Sequence, residues 1–210
     1  MLENKDDSNE LLDRAASGND AALAKLFSKY QSQLKQAILI RMDRHLQRRE
    51  RESDILQESF LAAARDLPRY NKERRVPPYI WLRGIVQQRL VDACRHHGRD
   101  KRNARREVSL HGALPFADSV SLASHLSGDL SSPSSAATKA EFQQILQTVL
   151  AEMEPLDREI IALRHFEHLK NVDVAEILDM DESTTSSRYL RALKKLKDAL
   201  VQYPEFFAGL

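Results

Sequence analysis

The chain has 210 residues with a formal net charge of +1, room for one domain or two small ones. Its single cysteine, Cys94, excludes an intrachain disulfide framework and fits a reducing compartment. No apolar run approaches the roughly 20 residues that span a bilayer, and the acidic start, Met1 to Asp7, lacks a signal-peptide core. A soluble, cytoplasmic protein is expected.

In the N-terminal half, apolar residues recur every three or four positions over 8–17 and 19–30, with Ser8 or Asn9 and Asp20 as caps. Leu34, Ile38, Leu39 and Met42 continue the stripe through a longer helix. Ser53 should cap a helix from Asp54 to Asp66, with Ile55, Leu56, Phe60, Leu61 and Ala64 inward and Pro68 as its stop. Residues 69–78 then form a basic loop closed by Pro77-Pro78. Pro78 suits the first turn of a helix running to about His97. Its buried face should hold Ile80, Trp81, Gly84, Ile85, Leu90, Val91 and Cys94. From Arg65 to Arg106 there are thirteen Lys and Arg against four Asp and Glu, an asymmetry that suggests nucleic acid.

Residues 107–135 contain no Lys or Arg and carry Pro115, Gly128 and Pro133 as helix breakers. The stretch divides the chain into domains 1–106 and 136–210. It also holds Leu110, Leu114, Phe116, Val120, Leu122 and Leu126, more apolar residues than a spacer needs. It therefore reads either as a flexible linker that docks when a partner is present, or as a surface loop folded over its own domains.

Helices are expected over 136–153 and 156–168, around a small core of Leu146, Leu150, Ile160, Ile161, Leu163, Ile177, Leu190, Leu193 and Leu196. The segment His165 to Arg188 has the pattern of a helix-turn-helix. Val174, Ile177 and Leu178 form one stripe of a short first helix, Asp179 takes the left-handed backbone of the turn, and Asp181 caps the second helix. That helix opens on Ser183, Thr184, Thr185, Ser186 and Ser187, small enough for close approach to DNA. Arg188, Arg191, Lys194 and Lys195 follow, as cations that neutralise phosphates. With no alternating strand pattern, the fold class is all-α: two small helical domains joined by a flexible linker, the C-terminal one a helix-turn-helix.

Three stretches carry a family resemblance. They are Asp54-Ile-Leu-Gln-Glu-Ser-Phe-Leu61, Trp81-Leu-Arg-Gly-Ile-Val-Gln-Gln-Arg-Leu-Val-Asp-Ala-Cys-Arg95, and Leu178 to Arg188 with Arg191-Ala192 and Leu196. In order and spacing they resemble regions 2.2, 2.3–2.4 and 4.2 of bacterial RNA polymerase sigma factors of the sigma-70 family, and the lack of other regions resembles the small extracytoplasmic-function class. The chain departs from the family at Asp179 and Ser183, where Gly is usual, at Thr185, usually apolar, and at Gln88, usually Asn.

The resemblance implies that Asp54, Gln57, Glu58 and Leu61, on adjacent turns, grip the coiled coil of the polymerase β′ subunit. It implies that Arg69, Asn71, Lys72, Arg74, Arg75, Tyr79, Arg83, Gln87 and Arg89 meet the −10 element. There a melted strand is held by phosphate contacts and base stacking, with Arg83, Gln87 and Arg89 in a register pointing away from the core; Trp81 fits the core better. Ser183, Thr184, Ser186, Ser187, Arg188, Arg191, Lys194 and Lys195 would face the −35 major groove. Expected partners are core RNA polymerase (β′ and β subunits), promoter DNA as duplex and single strand, and an anti-sigma factor where one exists. No cofactor, metal site or catalytic residue is expected: Cys94, His96, His97, His165 and His168 lack zinc-ligand spacing, and neither a P-loop nor a nucleophile elbow occurs. A conventional helix-turn-helix regulator with an N-terminal sensing or dimerisation bundle, and a helical adaptor, are the rival readings.

Overall fold

Every regular element among the described residues of the computed structural model, 5–42, 44–96, 114–127 and 136–203, is a helix. The described residues divide into two units. The first holds those up to 38 and from 45 to 96; the second holds Leu39–Arg44 and everything from 114 onward.

The first unit is built from α1 (Lys5–Ala16), α2 (Asp20–Leu39), the single turn α3 (Arg44–Gln47), α4 (Glu52–Glu73) and α5 (Pro78–His96). The two expected N-terminal segments after residue 19 are one helix, α2, capped by Asn19 rather than Asp20: the Asn19 Oδ1 accepts from the Ala22 N–H at 3.1 Å. Ser8 is not a cap. It lies inside α1, buried, with its hydroxyl 2.8 Å from that of Tyr30. Leu12, Leu26, Leu34, Ile38, Leu82 and Leu90 are fully buried and form the centre of this unit.

Helix α4 corrects the expected boundaries at both ends. It starts at Glu52, with Arg51 as an extended N-cap making no side-chain bond, so Ser53 is not its cap. It also runs through Pro68 to Glu73. Ala64 and Pro68 share the exposed face, so the carbonyl that loses its donor is not in the core, while Leu67 and Tyr70 stay buried on the other side. Residues 69–73 are thus helical rather than loop. The helix ends at Arg74, whose left-handed backbone (φ 36°) lets its N–H donate to the Tyr70 carbonyl.

The second unit holds α6 (Phe116–Ser127), α7 (Ala136–Glu152), α8 (Pro155–Ile161), α9 (Asn171–Leu178) and α10 (Glu182–Leu200). Helix α8 widens into a π turn over Ala162–Phe166. The extra residue in that turn carries both Leu163 and Phe166 into the core, and the helix expected to reach 168 stops short. Arg41, from the segment Leu39–Arg44, is buried in this unit, its guanidinium 2.7 Å from Glu159 and 2.6 Å from Glu167. Leu190, expected in the core, is 65% exposed.

Helix α6 lies inside the stretch expected to be a flexible linker, and it packs on α7, α10 and the π turn. Leu114, Leu122, Ala123 and Leu126 are buried, and the Leu114 carbonyl accepts from Gln143 Nε2 at 2.7 Å. The rest of the stretch, 107–113 and 128–135, lies outside the described residues, as do His97 and the basic run 99–106.

The π turn and the residues just after it also meet α6 through two histidines. His165 Nε2 lies 3.1 Å from the Asp118 carbonyl, and His168 Nε2 lies 3.2 Å from the Asp118 carboxylate. Burial holds the His165 imidazole below its ordinary value of 6.5, against the opposing pull of the Asp118 carbonyl. An unfolded chain therefore binds a proton that the folded one refuses, and stability falls as pH drops below about 6.5. Melting temperatures at about pH 7.5 and about pH 5 should show this loss, and His165→Asn should lose less. Equal losses in both proteins would assign the acid sensitivity elsewhere.

Candidate nucleic-acid interface

The helix-turn-helix is held by local chemistry. Helix α9 ends at Asp179, in the left-handed conformation at φ 52°, and the Met180 N–H returns to the Ala175 carbonyl at 3.0 Å. Asp181 is the extended N-cap of α10. Its carboxylate accepts from the Thr184 N–H at 2.7 Å, the Thr184 hydroxyl at 2.6 Å and the Ser183 hydroxyl at 2.8 Å. These bonds, the Thr184 hydroxyl first, hold the Asp181 carboxyl at about 2, so the cap is ionised throughout the neutral range. Thr185 is fully buried, and its hydroxyl donates to the Asp181 carbonyl at 2.9 Å. A hydroxyl at this packed position is thus satisfied within its own turn.

Helix α10 exposes Ser183, Thr184, Ser186, Ser187, Arg191, Lys194 and Lys195. Leu190 stands among them. Arg188 differs: it is half-buried, its Nε donating to Asp157 Oδ1 at 2.9 Å and its Nη2 pairing with Glu154. Lys195 donates to Asp157 Oδ2 at 2.5 Å. Thus two of the expected DNA cations are tied to α8, and Arg191 and Lys194 hold no ion pair among the described residues.

In the first unit, Asp54, Gln57, Glu58 and Leu61 are all exposed and share one face of α4, with Leu61 51% exposed. A groove beside them is lined by Phe27, Lys35, Glu52, Leu56, Gln57 and Phe60. Its edge is set by Lys35 and Glu52, 3.0 Å apart, a bond that lowers the Glu52 carboxyl.

The residues expected at the −10 element are only partly brought together. Arg69 is exposed and donates to Asp66 at 2.7 Å. Asp66 also accepts from the Trp81 indole at 2.9 Å, and its carboxyl is lowered first by Arg69. Trp81 is buried as expected, stacked on Tyr70 with ring centres 4.2 Å apart. Burial pushes the Tyr70 phenol up to about 12, and its hydroxyl donates to the Val76 carbonyl at 2.7 Å. Arg74 pairs with Asp13 and donates from Nε to Asn71 at 3.0 Å. Arg75 lies 3.6 Å from Glu73, and Lys72 is exposed.

Tyr79 and Arg83, by contrast, are buried, at 8% and 6% exposure. Helix α5 packs against both α1 and α4, and the Tyr79 ring lies 5.4 Å from that of Tyr30 on α2, so burial covers a wide arc from Tyr79 to Arg83. Gly84, expected inward, is exposed, and Leu82 and Val86 take the core positions. Gln87 is half-exposed, and Arg89 pairs with Asp92 at 3.0 Å. Sequence reasoning missed Asp66 and Asp92 as partners, although their spacing of three from Arg69 and Arg89 was a readable signal. Nothing local pointed to Asp13 or Asp157.

A capped helix-turn-helix with exposed small polar and basic residues on its second helix is the shape of a DNA-reading module. Residues 143–196 match the family model of sigma-70 region 4, and residues 26–100 match that of sigma-70 region 2. The chain is similar to the RNA polymerase sigma-H factor of Pseudomonas aeruginosa, 25% identical over 91% of this chain and 92% of the relative. It is equally similar to the ECF RNA polymerase sigma-E factor of Haemophilus influenzae, 25% identical over 90% and 93%. The chain belongs to the sigma-70 family of sigma factors, in its extracytoplasmic-function class. No helix among the described residues is long and apolar enough to cross a membrane.

Proposed function

We propose that this sigma factor binds core RNA polymerase through the α4 strip and places α10 in the major groove of a −35 element. The exposed cations of the first unit hold the −10 strand. The observation that carries the reading is the division of surfaces over the two matched regions: an acidic and apolar strip on α4, and a small-residue, basic helix end on α10. Sigma factors act by binding and positioning, so the proposed role needs no catalytic group and no cofactor. The partners are the polymerase β′ and β subunits and promoter DNA as duplex and as melted strand. An anti-sigma factor would compete for the same exposed faces. The cytoplasm is where all of these meet.

The proposed −10 surface consists of Arg69, Asn71, Lys72, Arg74, Arg75, Gln87 and Arg89. For Arg69, Arg74, Arg75 and Arg89, exchanging a carboxylate on the protein surface for a phosphate costs little, because exposed ion pairs contribute only about 0–1 kcal/mol. Tyr79 and Arg83 support this surface from beneath.

Footprinting with Arg191→Ala tests the −35 assignment. Loss of a base-reading Arg should cost about 1–3 kcal/mol of binding and relax preference at one position. Promoter occupancy equal to that of the unaltered chain would remove α10 as the reader.

A further inference from the structure

Helix α10 carries five cations, and the four from Arg188 to Lys195 do not all face the same way. Arg188 and Lys195 are seven residues apart, two turns, and so lie on one stripe. Both reach the same carboxylate. Asp157, on α8, is 2% exposed, yet each of its oxygens accepts a charged donor: Arg188 Nε at 2.9 Å and Lys195 Nζ at 2.5 Å. Arg188 also pairs through Nη2 with Glu154, whose carboxylate accepts from the Leu156 N–H at the start of α8. The start of α8 is thereby fastened to α10 at two heights. Leaving a carboxylate this buried without its partners is strongly destabilising, so the two helices are held at one angle and one register. Arg191 and Lys194 lie on the adjacent exposed face and are free of ion pairs among the described residues.

We propose that Asp157 is a positioning residue for DNA reading: through Arg188 and Lys195 it sets the angle at which α10 presents Ser186, Ser187 and Arg191 to the groove, and Arg188 reads no base itself. The inference rests on α10 being the −35 helix. Specific reading depends on side chains meeting base edges at fixed positions, whereas contact with phosphates tolerates small rotations. Loosening the clasp therefore reduces discrimination more than it reduces general attraction to DNA.

The test uses the full chain with core polymerase. A duplex is first selected by the unaltered protein from a random library, and a scrambled duplex of the same composition serves as reference. Asp157→Asn and Arg188→Met should each lower the ratio of selected to scrambled affinity about tenfold, and the double variant should lower it no further, since the two act through one contact. The slope of log affinity against log salt should be unchanged in Arg188→Met. A lost phosphate contact would instead reduce it by about 0.9. A pair that merely stabilised the fold would lower the melting temperature and leave the ratio where it was. If Asp157→Asn does not fold, the salt slope and the pattern of base preference in Arg188→Met decide. A reduced slope, relaxed preference at a single position, additive losses, or an unchanged ratio overturns the proposal. Arg191→Ala is run beside them. If it too leaves binding unaltered, or if the unaltered chain selects no duplex, the assignment of α10 fails and the clasp falls with it. A loss in Arg191→Ala alone removes only the clasp.

Discussion

Changing Asp54 and Glu58 to Lys should remove the chain from core RNA polymerase while its helices remain intact. Both carboxylates are exposed on one face of α4, one turn apart, with Gln57 and the half-exposed Leu61 beside them. A partner that docks there meets two negative charges around an apolar centre, and reversing both turns attraction into repulsion across the interface. The fold has little to lose. Exposed substitutions shift stability within about 0.5 kcal/mol. Asp54 adds somewhat more, because it sits in the first turn of α4, where a cation is disfavoured by about 0.3–1 kcal/mol. Glu58→Lys alone lacks that complication and should already weaken binding. Co-purification with core enzyme, set beside helix content and melting temperature, checks both parts. Undiminished binding by the double variant would move the polymerase contact elsewhere.

Leu122→Asp should strongly destabilise the second unit. Leu122 is fully buried in α6, which packs on α7, α10 and the π turn. The substitution removes a buried apolar side chain and puts an unpaired carboxylate in its place, a loss of about 4 kcal/mol or more. That is a large fraction of the about 5–15 kcal/mol that a folded unit has, so duplex DNA binding should weaken with it. Ser121→Asp, one residue away on the exposed side of the same helix, should be nearly neutral. Denaturant unfolding of both variants is the measurement. Similar midpoints for the two would show that α6 contributes nothing to this core. The same packing sets where a C-terminal fragment should begin: a chain starting at 136 lacks Leu114, Leu122, Ala123 and Leu126, and one starting at 114 keeps them.

The parts legible in the sequence are those decided within a few residues. Asp179 accepts the left-handed turn and Asp181 the N-cap because short polar side chains bond their own backbone. The burial of Trp81 follows from helical spacing. The apolar content of 107–135 was equally visible, and Leu114, Leu122 and Leu126 are buried, but which surface they would cover depends on α7 and α10, which lie later in the chain. Pro68 misleads for a related reason. A proline ends a helix unless it falls on the face away from the core, and that face is known only once Leu67 and Tyr70 are packed. The joint burial of Tyr79 and Arg83 does not follow from spacing within α5, because that helix packs against more than one neighbour. At the candidate site, Arg188 and Arg191 look alike in sequence. Asp157, 31 positions before Arg188, pairs with that arginine and not with Arg191.

Run-off transcription with purified core RNA polymerase on genomic DNA fragments decides whether the chain directs initiation. With the chain added, the enzyme should produce discrete transcripts from a small set of start sites, and these should vanish with the Asp54→Lys, Glu58→Lys double variant. Unchanged transcription on adding the chain, or DNA binding by the chain that alters the output of an already complete polymerase while core enzyme alone stays silent, would contradict that role.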